Sequence, residues 1–410
     1  MTQPSLGSAG RRRWLAGSAS ALAAAGFAST PIARAADTAA AKPASTAKPL
    51  PAYVDWKEAD SMIVHSANTI ETRREALGSS VVTSTDRLYV RNNLPPPDAS
   101  IVADRDGWKI EVAGVKNPTT LTVADLKNIG VDSVAMVLQC SGNGRGYFPE
   151  KPSGTPWQVG AAGCVIWSGV PVRDLVEKLG GVASGMTFMT GTGGEKLPEG
   201  LDPNSVMVER SVPTDAMKDA MLAWEVNGKP IPLAHGGPLR LIVPGYTGVN
   251  SVKYIKRLAF TDKESPAAIQ QTGYRLAPKG EKGNPSQPSV WAMGVKSWIN
   301  SPDGKTTALK AGPAVIEGVA FGGMHGIKQV EVSSDGGKTW KQARLVGPDL
   351  GKYAWRQFAL PVELQAGEHT LMSRATDTEG NVQAENRPEN AGGYINTSWR
   401  DHALAVTVTA

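Results

Sequence analysis

Apolar positions change rhythm along the chain. From about residue 51 to 265, short β-branched runs alternate with helix-like pieces. Beyond about 290, closely spaced runs place an apolar residue at every second position. The runs "WKIEVAGV" (108–115) and "SVAMVLQC" (133–140) predict strands, and "NSVKYIKRL" (250–258) is strand-like. "VPVRDLVEKLGG" (170–181) predicts a short helix ended by glycine, and "TDAMKDAMLAWEVNG" (214–228) a second one. No βαβ alternation is sustained, so the pattern is α+β. A Gly/Pro-punctuated stretch, "LAPKGEKGNPSQPS" (276–289), precedes the tail. There "AVIEGVAFGG", "IKQVEVSSDGGKTWKQARLV", "YAWRQFALPVEL", "GEHTLMSRATDTEGNV" and "ALAVTVTA" alternate, with "SDGGKTW" as a hairpin turn. About seven short strands in this span predict an immunoglobulin-like sandwich.

The first residues follow a different logic. "RRRWL" (11–15) leads an uncharged run, Trp14 to Ala33, rich in Ala, Gly and Ser, and "ARA" follows with the spacing of a signal-peptidase site. Arg11 and Arg12 before Trp14-Leu15 resemble a twin-arginine export signal, which carries folded proteins. The expected organisation is a signal at 1–35, a flexible tether at 36–50, a catalytic domain at 51–284 and the sandwich at 285–410. The location expected is the periplasm, without a permanent membrane anchor. Of the net charge of +5, four arginines fall in residues 1–35, which leaves about +1. That balance argues against a nucleic-acid partner, which needs a basic face on the folded domain.

Ordinary chemical signatures are missing. The sequence has no CxxC, CxxCH, HExxH or GxSxG, and its five histidines form no cluster at metal-ligand spacing. "GTGGEKLPEG" (191–200) lacks the endings of a phosphate-binding loop and is expected to be a surface loop. Attention therefore falls on one of only two cysteines, Cys140, which ends an apolar run and enters "CSGNGRG". Backbone N–H groups and a nearby arginine favour a thiolate acting as nucleophile or metal ligand.

"LQCSGNGRG" resembles the metal-binding cysteine segment of the sulfite oxidase family. Three further segments follow the family's order: "LYVRNNLPPP", "WEVNGKPIPLAHGGPLRLIVPGYTGVNSVKY" and "VEVSSDGGKTW". The resemblance covers nearly the whole chain after the signal. It implies a sulfite-oxidase-type molybdopterin domain followed by a dimerising immunoglobulin-like domain, and one molybdenum–molybdopterin held through Cys140. A soft sulfur donor suits such a metal. The competing reading of the two thiols is a Cys140–Cys164 disulfide, while Cys164 alone reads as a packed small hydrophobe.

The resemblance also implies roles for other residues. Arg91, Arg145 and a third arginine, best matched by Arg400, would bind the substrate oxyanion, since a guanidinium fork suits such a group. Tyr274 matches the active-site tyrosine. Tyr89, Arg91, Asn92, Asp202, His235, Arg240, Ser251 and Lys253 would contact the pterin and its phosphate. His235 and Arg240 flank a "GGPL" bend, and Ser251 and Lys253 are two apart on one strand face. Relatives commonly carry histidine where this chain has Asn93, which leaves any proton role there in question. The implied reaction is oxidation of sulfite to sulfate by oxygen-atom transfer. With no haem motif in this chain, electrons would pass to a separate c-type cytochrome. Alternatives are a sulfane dehydrogenase subunit of a thiosulfate-oxidising system, a methionine-sulfoxide reductase (poorly matched, since that class lacks the sandwich), and a non-catalytic immunoglobulin-like binding module.

Overall fold

A computed structural model describes residues 48–303 and 309–410. The export signal and most of the tether lie outside the described residues. A small three-stranded sheet comes first (Met62–Ser66, Thr69–Thr72, Val90–Arg91). Two larger sheets follow. One orders Lys229–Pro230, Met221–Val226, Ala162–Pro171 and Asp132–Gln139, with Arg240–Ile242 also paired to Met221–Val226. The other orders Thr119–Thr122, Lys109–Ala113, Ile255–Thr261, Phe188–Gly193 and Glu209–Pro213. Their facing side chains, among them Val170, Leu222, Leu241, Ile110, Met189 and Leu258, share one apolar core.

Helices are few and short among the described residues. The predicted helix at 170–181 exists as Val172–Lys178. The one predicted at 214–228 does not. Thr214–Lys218 is a 3-10 turn, and Met221–Val226 is a strand inside its sheet. Residues 221–224 are buried throughout, and a short wholly apolar run reads the same on a buried helix as on a buried strand. Pairing on both sides decides for the strand.

Beyond the irregular stretch at 276–289, the tail forms two packed sheets. Lys296–Ser301, Gly312–Phe321, Arg356–Leu364 and Arg344–Val346 make one; Leu309–Lys310, Leu404–Thr409, Gly367–Asp377, Ile327–Ser333 and Lys341–Gln342 make the other. Ile316 and Phe358 of the first meet Val330 and Leu371 of the second in a common core. This tail is integral to the rest. The Val137 N–H of edge strand Asp132–Gln139 donates to the Tyr353 carbonyl (2.8 Å), and Trp355 Nε1 donates to the Val81 carbonyl (2.7 Å). The described residues form a single compact unit.

Register also settles the two cysteines. Cys164 lies opposite Val137, and both pack with Trp298 and Trp355 of the tail. Cys140 follows Leu138 onto the other face, beside Tyr89 and Trp157. Both thiols are free, so the disulfide reading is overturned. Burial pushes the Cys164 thiol up to about 12, as suits an inert packing residue.

Candidate active site

The turn that carries Cys140 is a rigid, buried object. Cys140 N–H still pairs with the Ala161 carbonyl (2.9 Å), after which Asn143 and Arg145 N–H groups close turns onto Cys140 and Gly142 (both 2.9 Å). The Asn143 side chain donates to Gln139 Oε1 (2.9 Å) and accepts from Ala161 N–H (3.2 Å), while Ser141 Oγ donates to Thr247 Oγ1 (2.9 Å). Its glycines make room for protein groups. A Cβ on Gly142 would lie 2.6 Å from the Arg145 guanidinium, and Gly144 has φ +94° against Asn396 and His402.

The tail reaches this turn directly. Lys296 Nζ donates to the Asn143 carbonyl (3.2 Å), Asn396 Nδ2 to the Gly144 carbonyl (3.0 Å), and Ile395 N–H to the Ser141 carbonyl (3.0 Å). Arg145 answers through Nε to the Gly392 carbonyl (2.9 Å). Residues 141–145 are thus held from both halves of the fold.

Cys140 opens onto a cleft lined by basic and aromatic side chains. Tyr89, Arg91, Asn92, His235, Arg240, Ser251, Lys253 and Tyr274, eight of the residues singled out from the sequence, line it. Arg240 lies over the Trp167 ring (5.2 Å) and donates to the backbone carbonyls of His235 (2.9 Å) and Ser251 (3.1 Å). Lys253 donates to Asn92 Oδ1 and to the Ala234 carbonyl (both 2.6 Å). A Cβ on Gly236 (φ +100°) would meet Lys253 Cγ at 2.7 Å, so glycine lets that lysine pass. Ser251 and Lys253 reach the cavity from the segment before strand Ile255–Thr261, so the predicted shared strand face is replaced by an irregular approach.

The electrostatics of this cleft are lopsided. Burial pushes Lys253 and His235 well below their ordinary values, with Arg240 adding repulsion in each case, and takes Arg240 to about 10. Burial also raises the Tyr89 phenol, and the neighbouring Cys140 adds to that rise. Behind His235 stands Lys57, whose Nζ is 3.1 Å from His235 Nε2 and which burial lowers to about 7. Glu195 is the one carboxylate in the lining, raised to about 7 by burial. Several cations gathered out of water against one acid make a receptor for an anionic ligand.

This imbalance sets a pH signature for the protein without cofactor. In the unfolded chain Lys57, Lys253 and Lys296 stay protonated near their ordinary value of 10.5. Burial lowers folded Lys57 and Lys296 to about 7, and Lys253 well below its ordinary value. The unfolded state therefore binds more protons above pH 7, and apoprotein Tm should rise between pH 7 and about 8.5. An anionic ligand should flatten that slope. A falling apoprotein Tm over the same window would contradict the picture.

A second, outer basin shares Cys140, Arg91, Asn92, Asn93 and Tyr274 with the cavity and adds Arg145, Thr155 and Tyr394. Asn93 accepts from Arg91 Nη2 (2.7 Å) and from Tyr274 Oη (3.4 Å). Two expected residues are not brought here. Arg400 points away, 55 % exposed and paired with Glu385. Asp202 is exposed, and its carboxylate caps the short helix Pro203–Val206 by accepting from Asn204 N–H (3.0 Å). In both cases a local partner, a carboxylate or a helix end, satisfies the side chain where it stands.

Three contributors were invisible in the sequence: Lys57, Glu195 and Tyr394. Glu195 belongs to the "GTGGEKLPEG" segment, which is no plain surface loop. Its first residues complete strand Phe188–Gly193, and Glu195 turns into the cavity.

Comparison with known proteins gives the family. Residues 96–269 match the family model of the oxidoreductase molybdopterin binding domain, and 287–408 that of the Mo-co oxidoreductase dimerisation domain. Chicken (Gallus gallus) sulfite oxidase is 31 % identical over 350 residues, covering 80 % of this chain and 74 % of its own. Sulfite oxidase of Arabidopsis thaliana is 30 % identical over 358 residues, covering 80 % and 89 %. The chain belongs to the sulfite oxidase family. It is a molybdenum oxidoreductase of that family, with a molybdopterin-binding domain followed by an all-β domain. Among solved structures, the sulfane dehydrogenase SoxCD from Paracoccus pantotrophus superposes with a TM-score of 0.69 at 25 % identity, covering 85 % of this chain and 88 % of that one.

The residues present fit the family's cofactor. The cation-rich cavity provides for a phosphate-bearing pterin, and the buried Cys140 thiol at its wall is a soft donor for molybdenum. Among the described residues no three His, Cys, Asp or Glu side chains converge to hold a metal by themselves, so the pterin's own sulfurs would complete the donor set.

Proposed function

We propose that the protein oxidises sulfite to sulfate at a molybdenum–molybdopterin held by Cys140, His235, Arg240, Ser251 and Lys253, and passes electrons to a separate c-type cytochrome. The observation that carries the reading is the position of Cys140, shared between a buried cationic cavity and an outer basin holding two arginines. Sulfite gains one oxygen atom whose source is water, and each turnover releases two protons and two electrons. When bound, the cofactor supplies the redox change and the oxygen-atom transfer. The chain supplies orientation. Arg91 and Arg145 hold the oxyanion beside Cys140 through charge-assisted bonds. Tyr274, hydrogen-bonded to Asn93, presents a phenol to the same space. Asn93 bridges Arg91 and Tyr274 as an amide acceptor and takes up no proton.

Arg91→Met should raise the sulfite KM at least about tenfold, because a lost charge-assisted hydrogen bond costs roughly 1.5–3 kcal/mol. Molybdenum content should hardly change. An unchanged KM at low ionic strength removes Arg91 from the substrate site.

A second reading, a sulfane dehydrogenase subunit acting on a partner-borne sulfur, draws support from the likeness to SoxCD. Steady-state reduction of cytochrome c with sulfite or thiosulfate, beside consumption of methionine sulfoxide with a supplied electron donor, separates the possibilities. Turnover with sulfite alone supports the first reading, and no turnover with sulfite sinks it. The tail's match to a dimerisation domain supports a homodimer. Its strand order, four strands facing a five-strand sheet, supports the immunoglobulin-like assignment. We place the protein in the periplasm, since Arg11 and Arg12 lead an export-type segment. Replacing both by lysine should leave the precursor in the cytoplasm, and normal delivery of that variant would exclude the twin-arginine route. No helix among the described residues is long and apolar enough to cross a membrane.

A further inference from the structure

Where a third cation was expected, the basin wall carries an aromatic ring. Tyr394 stacks on Tyr274, with centroids 5.3 Å apart and planes 23° from parallel. The Arg145 guanidinium lies over the Tyr394 ring, 5.1 Å from its centroid, and the Arg210 guanidinium lies 5.5 Å from the Tyr274 centroid. Four side chains from four separate segments are therefore linked in one chain of contacts, cation–ring–ring–cation. Arg210 anchors its inner end, fully buried and bonded to the Ile269 carbonyl (2.7 Å), Asn250 Oδ1 (3.2 Å) and Ser289 Oγ (3.0 Å).

The chain around Tyr394 is built to seat this ring. A Cβ on Gly392 would fall 2.1 Å from the Tyr394 ring, and one on Gly393 (φ +58°) would fall 2.9 Å from Arg145 Cγ. Asn390 clasps Tyr394 at both backbone groups (2.9 Å each). Tyr274 itself has φ +52°, a conformation that a non-glycine residue keeps only when its surroundings enforce it. The stack and the Val290 N–H, which donates to the Tyr274 carbonyl (2.8 Å), both hold this residue.

We infer that Tyr394 is the positioning residue of the substrate basin, aiming Arg145 and Tyr274 together at the oxyanion beside Cys140. The inference rests on the reading of this basin as an anion site. Charge attracts the oxyanion, but an arginine of many rotamers presents its fork well only when its plane is fixed, and a ring face fixes it. Arg145 is fixed on two edges by carbonyls, Gly392 at Nε (2.9 Å) and Thr155 at Nη1 (3.2 Å), and on one face by Tyr394. Tyr394 thereby replaces a third charge with orientation of the second.

The test uses the cofactor-loaded enzyme and two readouts, sulfate binding by calorimetry and the sulfite KM against kcat. Tyr394→Leu keeps bulk and loses the ring face; it should weaken sulfate about tenfold and raise the sulfite KM similarly, with kcat changed far less. Tyr394→Phe should recover most of that affinity, and Gly392→Ala, which displaces the ring without altering it, should resemble Tyr394→Leu. Should Tyr394→Leu bind sulfate as tightly as Tyr394→Phe, the inference is overturned, as it is by a wild type that binds no sulfate. A wild type that binds sulfate yet does not oxidise sulfite defeats the proposed reaction alone. The ranking of the variants by sulfate affinity then still decides the role of Tyr394.

Discussion

Cys140→Ser should lower sulfite oxidation by more than about a thousandfold, roughly 4 kcal/mol of transition-state stabilisation, while the cofactor remains bound. The substitution preserves size, so the turn's own hydrogen bonds, from Asn143, Ser141 and the tail, are untouched. It exchanges a soft thiolate for a neutral hydroxyl, a poor donor to a transition metal. Arg240 and Lys253, proposed here as the holders of the pterin phosphate, are unaffected by the substitution. Cys164→Ser is the control. That thiol faces the opposite core, and its variant should keep most activity with a modest loss of stability. Purified protein should be assayed for molybdenum per chain beside turnover. Parallel loss of molybdenum and activity in Cys140→Ser would mean that the thiol is needed for retention and not specifically for reaction.

Arg240→Met should strip the cofactor. At least about a tenfold fall in molybdenum and pterin content is expected after purification, since a buried guanidinium's charge-assisted bonds contribute roughly 1.5–3 kcal/mol each. The effect separates from unfolding. Arg240 is pressed by burial and depresses Lys253 and His235 beside it, so removing it relieves repulsion in the empty cleft even as the His235 and Ser251 carbonyls lose a donor. Arg240→Lys keeps the charge without the fork and should retain an intermediate amount. Full retention in Arg240→Met would move the phosphate away from this end of the cavity.

Residues carried by chemistry with a fixed local partner were legible from the sequence. Cys140, Arg91, Asn92, His235, Arg240, Ser251, Lys253 and Tyr274 sit in segments whose spacing matches the family, and the fold brings them to one cavity. Lys57, Glu195 and Tyr394 were not legible, for a common reason. Each enters the site from a segment distant in sequence, through a turn or loop, and nothing about a lysine in "DWKEAD" distinguishes it from a solvated one. Arg400 and Asp202 were misplaced for the converse reason. A residue matched by local pattern is aimed by its nearest partner, here Glu385 and the N-terminus of a short helix.

Fold legibility followed the same division. Alternation disclosed the strands of the tail, where one face of each sheet is buried and the period is clear. It failed at 221–226, a strand flanked by strands on both sides and buried in "MLAW", where no polar face marks the period. The tail's contribution to the cysteine turn was also hidden, since Lys296 and Asn396 meet it only through tertiary packing.

Everything proposed for this site depends on Cys140 holding the metal. X-ray absorption at the molybdenum edge, comparing wild type with Cys140→Ser at equal cofactor loading, tests it most directly. The variant should show one sulfur neighbour fewer around molybdenum. An identical sulfur shell in the two proteins would contradict it.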